Sequence, residues 1–254
     1  TPTPAPSPAP SGPVDARPRR EIAELVASLG VAKTRLPVVT ALTLSVLAGA
    51  FIALGALFFL MATTQSGLGF GPTRVFGGLC FSLGLILVVV AGAELFTGNN
   101  LLAMAWASGL IDTRDVLRNW AMVFAGNALG CAGMVVLVWA ADLASLGQGA
   151  FGRTALAVAT AKVQLPALEA LARGVLCNAL VCLAVWLTLG GHSVTDKVLG
   201  VIFPITAFVA LGLEHSIANL FFLPYGMLLG GSAAVPLDGV LRNLLWVTLG
   251  NGFR

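Results

Sequence analysis

The sequence predicts an all-α protein that crosses a lipid bilayer several times. Hydrophobic residues make up 57% of the 254 residues, charged residues only 10%, and the mean hydropathy is +0.94. Five apolar windows approach the roughly 20 residues of a transmembrane helix; they are residues 38–61, 76–95, 120–139, 174–189 and 198–213. A sixth window begins near residue 241. No segment alternates between apolar and polar residues as the strands of a membrane barrel do, so helices are predicted.

Two polar interruptions of the apolar windows share one frame, which divides the chain into two halves. The pattern Gly-x-Glu-x-x-x-x-Asn occurs at residues 92–99 and 212–219, and a second pattern, Arg-Asn followed by Gly-Asn, begins at Arg118 and Arg242. The offsets are similar, 214 − 94 = 120 and 242 − 118 = 124. The predicted repeats are about 36–142 and 153–254. Three spans in each half make the repeats inverted in the membrane, an arrangement that places a substrate site near the midplane.

The interruptions predict that the second and fifth helices are broken. We expect the second span to continue to Phe96 and to break at Gly98 and Asn99. Unwound backbone at membrane depth is tolerated where it lines a cavity, and unpaired N–H groups at the start of the following half-helix would favour an anion. Glu94 and Glu214, with Asn219 in the second half, are expected to be structural residues at the breaks, and Glu214 is expected to brace its unwound segment by accepting backbone N–H bonds.

The two ends of the chain are expected to differ from the pore-forming part. Residues 1–20 are rich in proline and then basic, which predicts a disordered tail without transport chemistry. Residues 21–35 have the spacing of an amphipathic helix at the membrane surface, and residues 36–254 form the transmembrane domain. By comparison with the third helix, which continues well past Asn127, the sixth helix is expected to be truncated soon after Asn251.

The distribution of positive charge predicts the orientation. Eight basic residues fall on the side of the N-terminus if the chain alternates across the membrane, and three fall on the other side: Arg17, Arg19, Arg20, Lys33, Arg35, Arg114, Arg118 and Lys197, against Arg74, Arg153 and Arg242. The positive-inside rule therefore places the N-terminus in the cytoplasm of a protein of the inner (plasma) membrane. The net charge of +3 is too small and too dispersed to indicate a nucleic-acid partner.

The polar motifs closely resemble those of the formate/nitrite transporter family. The resemblance rests on residues 91–99, Lys162, residues 173–186 and residues 214–219, and it extends from about residue 33 to residue 251. It implies an aquaporin-like fold, a homopentamer with one pore in each protomer, and passage of small monovalent anions such as formate, nitrite or hydrosulfide. The central histidine would be His215, the loop threonine Thr97, and the vestibule lysine and asparagine Lys162 and Asn178. Apolar constrictions would fall on five residues: Phe81, Leu85, Leu95, Phe96 and Phe208.

A histidine at the centre of the pore would link passage of the anion to binding of a proton. Imidazole titrates near neutral pH, and an anion that has lost its water is stabilised by a nearby imidazolium, so we expect anion passage to be linked to protonation of His215. The alternative is a histidine that only bonds a neighbouring helix. For Asn178 and Lys162 the alternatives are a bond between helices and a side chain that extends to the membrane surface.

Two other classes of membrane protein, an enzyme and a neutral-solute channel, fit the sequence less well than an anion channel. Glu214 and His215 could form the acid/base pair of a membrane enzyme, but neighbouring residues on a helix point about 100° apart, and no nucleophile pattern accompanies them. A neutral-solute channel would be expected to carry an Asn-Pro-Ala box in each half, which is absent. The four cysteines lack Cys-x-x-Cys spacing. We therefore expect no metal site, no cofactor and no enzymatic activity.

Overall fold

The computed structural model describes residues 16–252, which form ten α-helices and two 3-10 turns. The helices are α1 (Arg19–Thr34), α2 (Val38–Thr63), α3 (Phe70–Ala91), α4 (Leu102–Ala107), α5 (Thr113–Ala140), α6 (Ala150–Val163), α7 (Ala167–Gly190), α8 (Val194–Ala210), α9 (Ser216–Ala234) and α10 (Leu237–Gly252). The turns Asn99–Leu101 and Leu143–Ser145 precede α4 and α6. Residues 1–15 of the tail that was predicted to be disordered lie outside the described residues.

The apolar helices confirm the predicted membrane fold. Within the described residues, five helices are long and apolar enough to cross a bilayer: α2, α3, α5, α7 and α9. The windows predicted from sequence at 198–213 and from 241 correspond to α8 and α10. The amphipathic helix, predicted at residues 21–35, begins slightly earlier, at Arg19.

Both helix breaks begin earlier than the sequence suggested, at a glycine. The prediction that the second span continues to Phe96 is wrong, because α3 ends at Ala91 and Gly92 adopts a left-handed conformation with φ 72°. Gly212, after α8, has φ 71°. In each case the next N–H returns to a carbonyl five residues earlier, from Ala93 to Val88 at 2.9 Å and from Leu213 to Phe208 at 3.0 Å. This is the glycine-dependent way of ending a helix.

The two halves pack into one another through these breaks. α3 packs on α8, while α9 packs between α5 and α6, and each break therefore lies against helices of both halves. Close helix contacts depend on small residues: a Cβ on Gly49 would overlap the carbonyl of Asn127, and one on Gly250 would overlap the carbonyl of Leu171. These glycines explain part of the high glycine content of the sequence.

Two short helices, α1 and α6, occupy corresponding places in the halves. Each precedes the first long helix of its half, α2 or α7, and each carries a lysine in its last turn, Lys33 or Lys162. The first repeat therefore extends N-terminal to its predicted start near residue 36 to include α1, whereas α6 lies mainly within the second repeat predicted from about residue 153. Near the start of α1, Arg17 fixes the chain to the end of α7, since its Nη1 donates to the carbonyls of Leu189 at 2.8 Å and Gly191 at 2.7 Å.

Candidate functional site

A buried polar network holds the first helix break to α1. Lys33 Nζ lies 2.6 Å from Glu94 Oε1 and 2.9 Å from Asn99 Oδ1. The Asn99 amide donates to Glu94 Oε2 at 2.7 Å and to Asn119 Oδ1 at 3.0 Å. Glu94 and both asparagines are almost fully buried. The carboxylate is thus compensated by a cation and an amide, as burial of a charge requires.

The second half repeats this network with corresponding residues but one bond fewer, since Asn219 Oδ1 has no hydrogen-bond partner among residues 16–252. Lys162 Nζ lies 2.9 Å from Glu214 Oε1, the Asn219 amide donates to Glu214 Oε2 at 2.7 Å, and the same amide donates to Asn243 Oδ1 at 2.8 Å. The expectation that Glu214 accepts backbone N–H bonds is wrong, because side-chain donors bind both oxygens of its carboxylate. The physical reason is that a lysine from the preceding short helix reaches each break.

A second pair of asparagines fixes the unwound backbone itself. Asn127 Oδ1 accepts from the N–H of Phe96 at 3.0 Å, and Asn251 Oδ1 accepts from the N–H of Ser216 at 2.7 Å. Each of these amides also donates to the carbonyl of the glutamate in its own half, at 2.9 Å and 3.0 Å respectively. Backbone groups exposed by the breaks are thereby satisfied by side chains, as a dry interior demands.

A direct hydrogen bond between His215 and Thr97 joins the two breaks. His215 Nε2 lies 3.0 Å from Thr97 Oγ1, and His215 Nδ1 accepts from the N–H of Ala218 at 3.1 Å. Because Nδ1 is an acceptor, the neutral ring carries its proton on Nε2 and donates it to Thr97. The Thr97 hydroxyl proton then remains available for another acceptor. The imidazole also stacks on the Phe208 ring, with centroids 5.8 Å apart.

The N-terminus of α9 is less open to an anion than the sequence suggested. Two of its first N–H groups, those of Ser216 and Ala218, are bound by Asn251 and His215. The expectation that unpaired backbone donors face the midplane is therefore wrong at these two positions.

Two cavities approach the breaks from opposite ends of the helices. The α1-side cavity, about 430 Å³, is lined by residues that include Lys33, Leu85, Glu94, Leu95, Asn99 and Lys197. The α6-side cavity, about 240 Å³, is lined by residues that include Arg74, Phe81, Lys162, Arg173, Phe208 and His215. Because α2 carries the chain from one end to the other, these cavities open on opposite faces of the membrane domain.

Four of the predicted constriction residues line one cavity or the other. Phe81 and Phe208 line the α6-side cavity with their rings edge to face at 5.6 Å, and Leu85 and Leu95 line the α1-side cavity. Phe81 and Leu85 are one turn of α3 apart, roughly 6 Å along the helix axis. The residues of the two cavities therefore approach one another along α3.

Phe96 takes a different place from the other predicted constriction residues. Its ring packs edge to face on Phe124 at 5.3 Å and on Trp120 at 6.0 Å, and it lines neither cavity. The reason lies in the local backbone: the Asn127 amide holds Phe96 N–H and brings this residue against α5.

Asn178 and Lys162, predicted together as vestibule residues, are separated in the structure. Lys162 lines the α6-side cavity and also lies 5.5 Å from the centre of the Phe222 ring. Asn178 is buried in α7 and lines neither cavity. Its Nδ2 lies 3.5 Å from Cys182 Sγ, and its Oδ1 has no hydrogen-bond partner among residues 16–252. Cys182 Sγ in turn lies 3.8 Å from the Thr97 carbonyl, so Asn178 stands beside the Thr97 segment.

Three residues of the polar networks were not predicted from the sequence: Lys33, Asn119 and Asn243. Asn119 and Asn243 belong to the repeated Arg-Asn pattern, which was the available signal for them. Lys33 could have been found only through its equivalence to Lys162, and the offset 162 − 33 = 129 differs from that of the glutamates because the connections differ in length.

Comparison with known proteins decides the family. The formate/nitrite transporter family pattern matches residues 20–253. The chain belongs to the formate/nitrite transporter family. It is 37% identical to formate channel FocA of Escherichia coli K12 over 248 residues, covering 91% of this chain and 87% of the relative.

Two solved structures of the family share the fold. A structure described as a pentameric formate channel with formate bound has a TM-score of 0.78 at 37% identity, covering 84% of this chain and 91% of the other. A structure described as an FNT family ion channel has a TM-score of 0.84 at 30% identity, covering 92% and 93%.

Proposed function

We propose that this protein is a transmembrane pore for small monovalent anions, formate and nitrite first, and hydrosulfide or another small weak-acid anion as the alternative. The observation that carries the proposal is the pair of cavities that reach the helix breaks, one lined by His215 and the other by Gly98, the chain neighbour of Thr97, together with the His215–Thr97 bond. Family membership and the relatives that are named formate channels support it.

The barrier between the cavities selects against hydrated ions. An anion that passes Phe81 and Phe208, or Leu85 and Leu95, must lose most of its water, and polar groups must replace that water. The Thr97 hydroxyl proton and the imidazole are the nearest donors that are not committed to the backbone. Protonation of His215 would add a full charge there, and it would also end the acceptor role of Nδ1 toward Ala218. We propose that anion entry and protonation are linked in this way.

An enzymatic role fits the geometry poorly. The Glu214 carboxylate is bound to Lys162 and Asn219, whereas the His215 ring is bound to Thr97 and Ala218. The two side chains therefore have separate partners and do not act on one common site. We propose that the protein transports its substrate unchanged.

We further propose a homopentamer in the inner membrane with the N-terminus in the cytoplasm. The similarity to a structure described as pentameric supports the assembly, and the excess of basic residues on the side of the N-terminus supports the orientation. In this orientation the α1-side cavity opens to the cytoplasm and the α6-side cavity to the other face.

Flux through liposomes tests the proposed function. Purified protein reconstituted in vesicles should accelerate entry of formate and nitrite well above the rate of protein-free vesicles. A rate equal to that of empty vesicles for both anions would contradict the proposal. The same vesicles assayed with hydrosulfide distinguish the alternative substrate.

Truncation of Phe208 should weaken anion selectivity. Phe208→Ala removes the ring that packs on Phe81 and on His215, so hydrated chloride should leak several-fold faster through the variant. Phe96→Ala is the matched control because it removes the same atoms from a buried ring that lines neither cavity. Chloride leak should be measured in vesicles, together with the oligomeric state of both variants. Equal leak in the two variants would contradict the assignment of the barrier.

A further inference from the structure

The mouths of the two cavities carry cations that the described carboxylates do not neutralise. In the α6-side cavity, Lys162 is paired with Glu214 at 2.9 Å and Arg173 with Glu169 at 2.9 Å. Arg74 lines the same cavity and forms no ion pair among residues 16–252. Its guanidinium is half-buried and donates only to neutral carbonyls, to Ala210 O at 3.0 Å and Val209 O at 2.7 Å.

The α1-side cavity has the same arrangement with different residues. Lys33 is paired with Glu94 at 2.6 Å, but Lys197, which also lines the cavity, forms no ion pair in the part of the chain that the structure describes. The neighbouring carboxylate of Asp196 is directed elsewhere, since it accepts from the N–H groups of His192 and Ser193 at 2.9 Å. Each cavity therefore contains one more cation than carboxylate once its ion pairs are counted.

We propose that Arg74 and Lys197 are the anion-capture residues at the two mouths of the pore, one for each direction of entry. This inference rests on the proposed function. A charge in a cavity with apolar walls is screened less than one on an open surface, so it raises the local concentration of anions. The paired lysines deeper in each cavity cannot do this at long range, because the attached carboxylate cancels their field.

Arg74 is held so that its charge remains in the cavity. Its Nε and Nη2 donate to the carbonyls of Ala210 and Val209 at the end of α8, and the Val209 carbonyl also accepts from the N–H of Gly212 at 3.0 Å. The guanidinium thereby gains two hydrogen bonds without losing its charge. The same contacts place it close to Gly212, where a Cβ would lie 2.9 Å from Arg74 Nη2. The glycine that ends α8 therefore also leaves room for this arginine.

Arg74 lines the α6-side cavity and Lys197 lines the α1-side cavity, so each residue should affect anions that enter from one side of the membrane. Under a large driving voltage, the current is limited by capture at the mouth through which anions enter. Neutralising one mouth should therefore reduce the current in one direction only and produce rectification. Neutralising both mouths should reduce the current in both directions and remove the rectification.

Currents through excised patches test this directly, because every molecule in the membrane of an expressing cell has the same orientation. With formate as the only permeant anion and low ionic strength, Arg74→Gln and Lys197→Gln should each reduce the current of one polarity by roughly threefold to tenfold, and the two polarities should be opposite. The double variant should be symmetric and low relative to the unmodified protein. At about 1 M of an impermeant salt, where the screening length is about 3 Å, the differences should nearly vanish.

Two controls separate capture from structure. Arg153→Gln removes the same charge on the same side as Arg74, from an exposed residue whose Nη1 donates to the Gln148 carbonyl at 3.1 Å. Its currents should equal those of the unmodified protein. Arg74→Lys keeps the charge but not the paired hydrogen bonds, and it should retain most of the current. A lysine variant as impaired as Arg74→Gln would overturn the role of Arg74 in capture. If the unmodified protein conducts formate but neither single variant shows rectification, the inference is overturned for both residues. If the unmodified protein carries no formate current, the proposed function itself is contradicted.

Discussion

His215→Asn should remove the pH dependence of formate uptake and reduce its rate about tenfold or more. Asparagine can replace two of the bonds that the imidazole makes: its oxygen can accept from Ala218 N–H, since asparagine is a favoured residue at a helix N-terminus, and its amide can donate toward Thr97. The variant should therefore fold. It cannot bind a proton, so an acid-driven increase of flux through the unmodified pore should be absent from the variant.

The sign of the pH dependence follows from the linkage. An anion near His215 favours the protonated ring, so uptake by the unmodified protein should rise as pH falls through the range in which this histidine titrates. Uptake of formate in vesicles, measured at a series of pH values from acid to neutral, tests the effect.

His192→Asn is the matched control for this variant. The chain has two histidines, and His192 is exposed in the connection before α8. Its replacement should leave both the rate and the pH profile unchanged. If His215→Asn behaves like the control, the histidine serves only to bond the neighbouring segments.

The membrane fold and the repeat could be predicted because they depend on local sequence features. Apolar windows specify helices that lipid can surround, and the Gly-x-Glu-x-x-x-x-Asn frames mark the two breaks. The position of each break within its frame was harder to predict. It depends on Gly92 and Gly212 in a left-handed conformation, and glycine in a membrane helix is also common as a packing residue.

The partners of the site residues depend on contacts between distant segments, which one sequence does not reveal. Lys33 and Glu94 are 61 positions apart, and Lys162 and Glu214 are 52 apart. Similarly, Phe96 resembles the other apolar residues of its segment, and only the bond to Asn127 shows that it packs against α5. The chemistry of single residues was predictable from the sequence. The pairing of each lysine with its glutamate was not.

Loss of Lys162 should destabilise the protein more than any other single change in the two networks. Lys162→Met leaves the Glu214 carboxylate buried, with Asn219 as its remaining side-chain partner. Removing one member of a buried ion pair costs about 3–5 kcal/mol. We therefore expect a large fall in the temperature at which the detergent-solubilised protein loses its secondary structure.

A double-mutant cycle isolates the cause of this loss. Glu214→Gln in the Lys162→Met background removes the uncompensated charge and keeps an amide that can bond Asn219, so a substantial part of the lost stability should return. If the double variant is as unstable as the sum of its single variants, the pair is not coupled and the loss reflects packing alone.

The corresponding pair in the other half supplies an internal comparison. Lys33→Met removes the partner of Glu94, but the Lys33 side chain is 30% exposed, against 14% for Lys162, while both glutamates are 5% exposed. Water therefore reaches the lysine site more easily in the first half and can solvate part of the charge that remains. Lys33→Met should accordingly destabilise the protein less than Lys162→Met. An equal or larger loss of stability in Lys33→Met would show that the bonds that join α1 to the break, such as Lys33 to Asn99, determine its stability, and not burial of the charge.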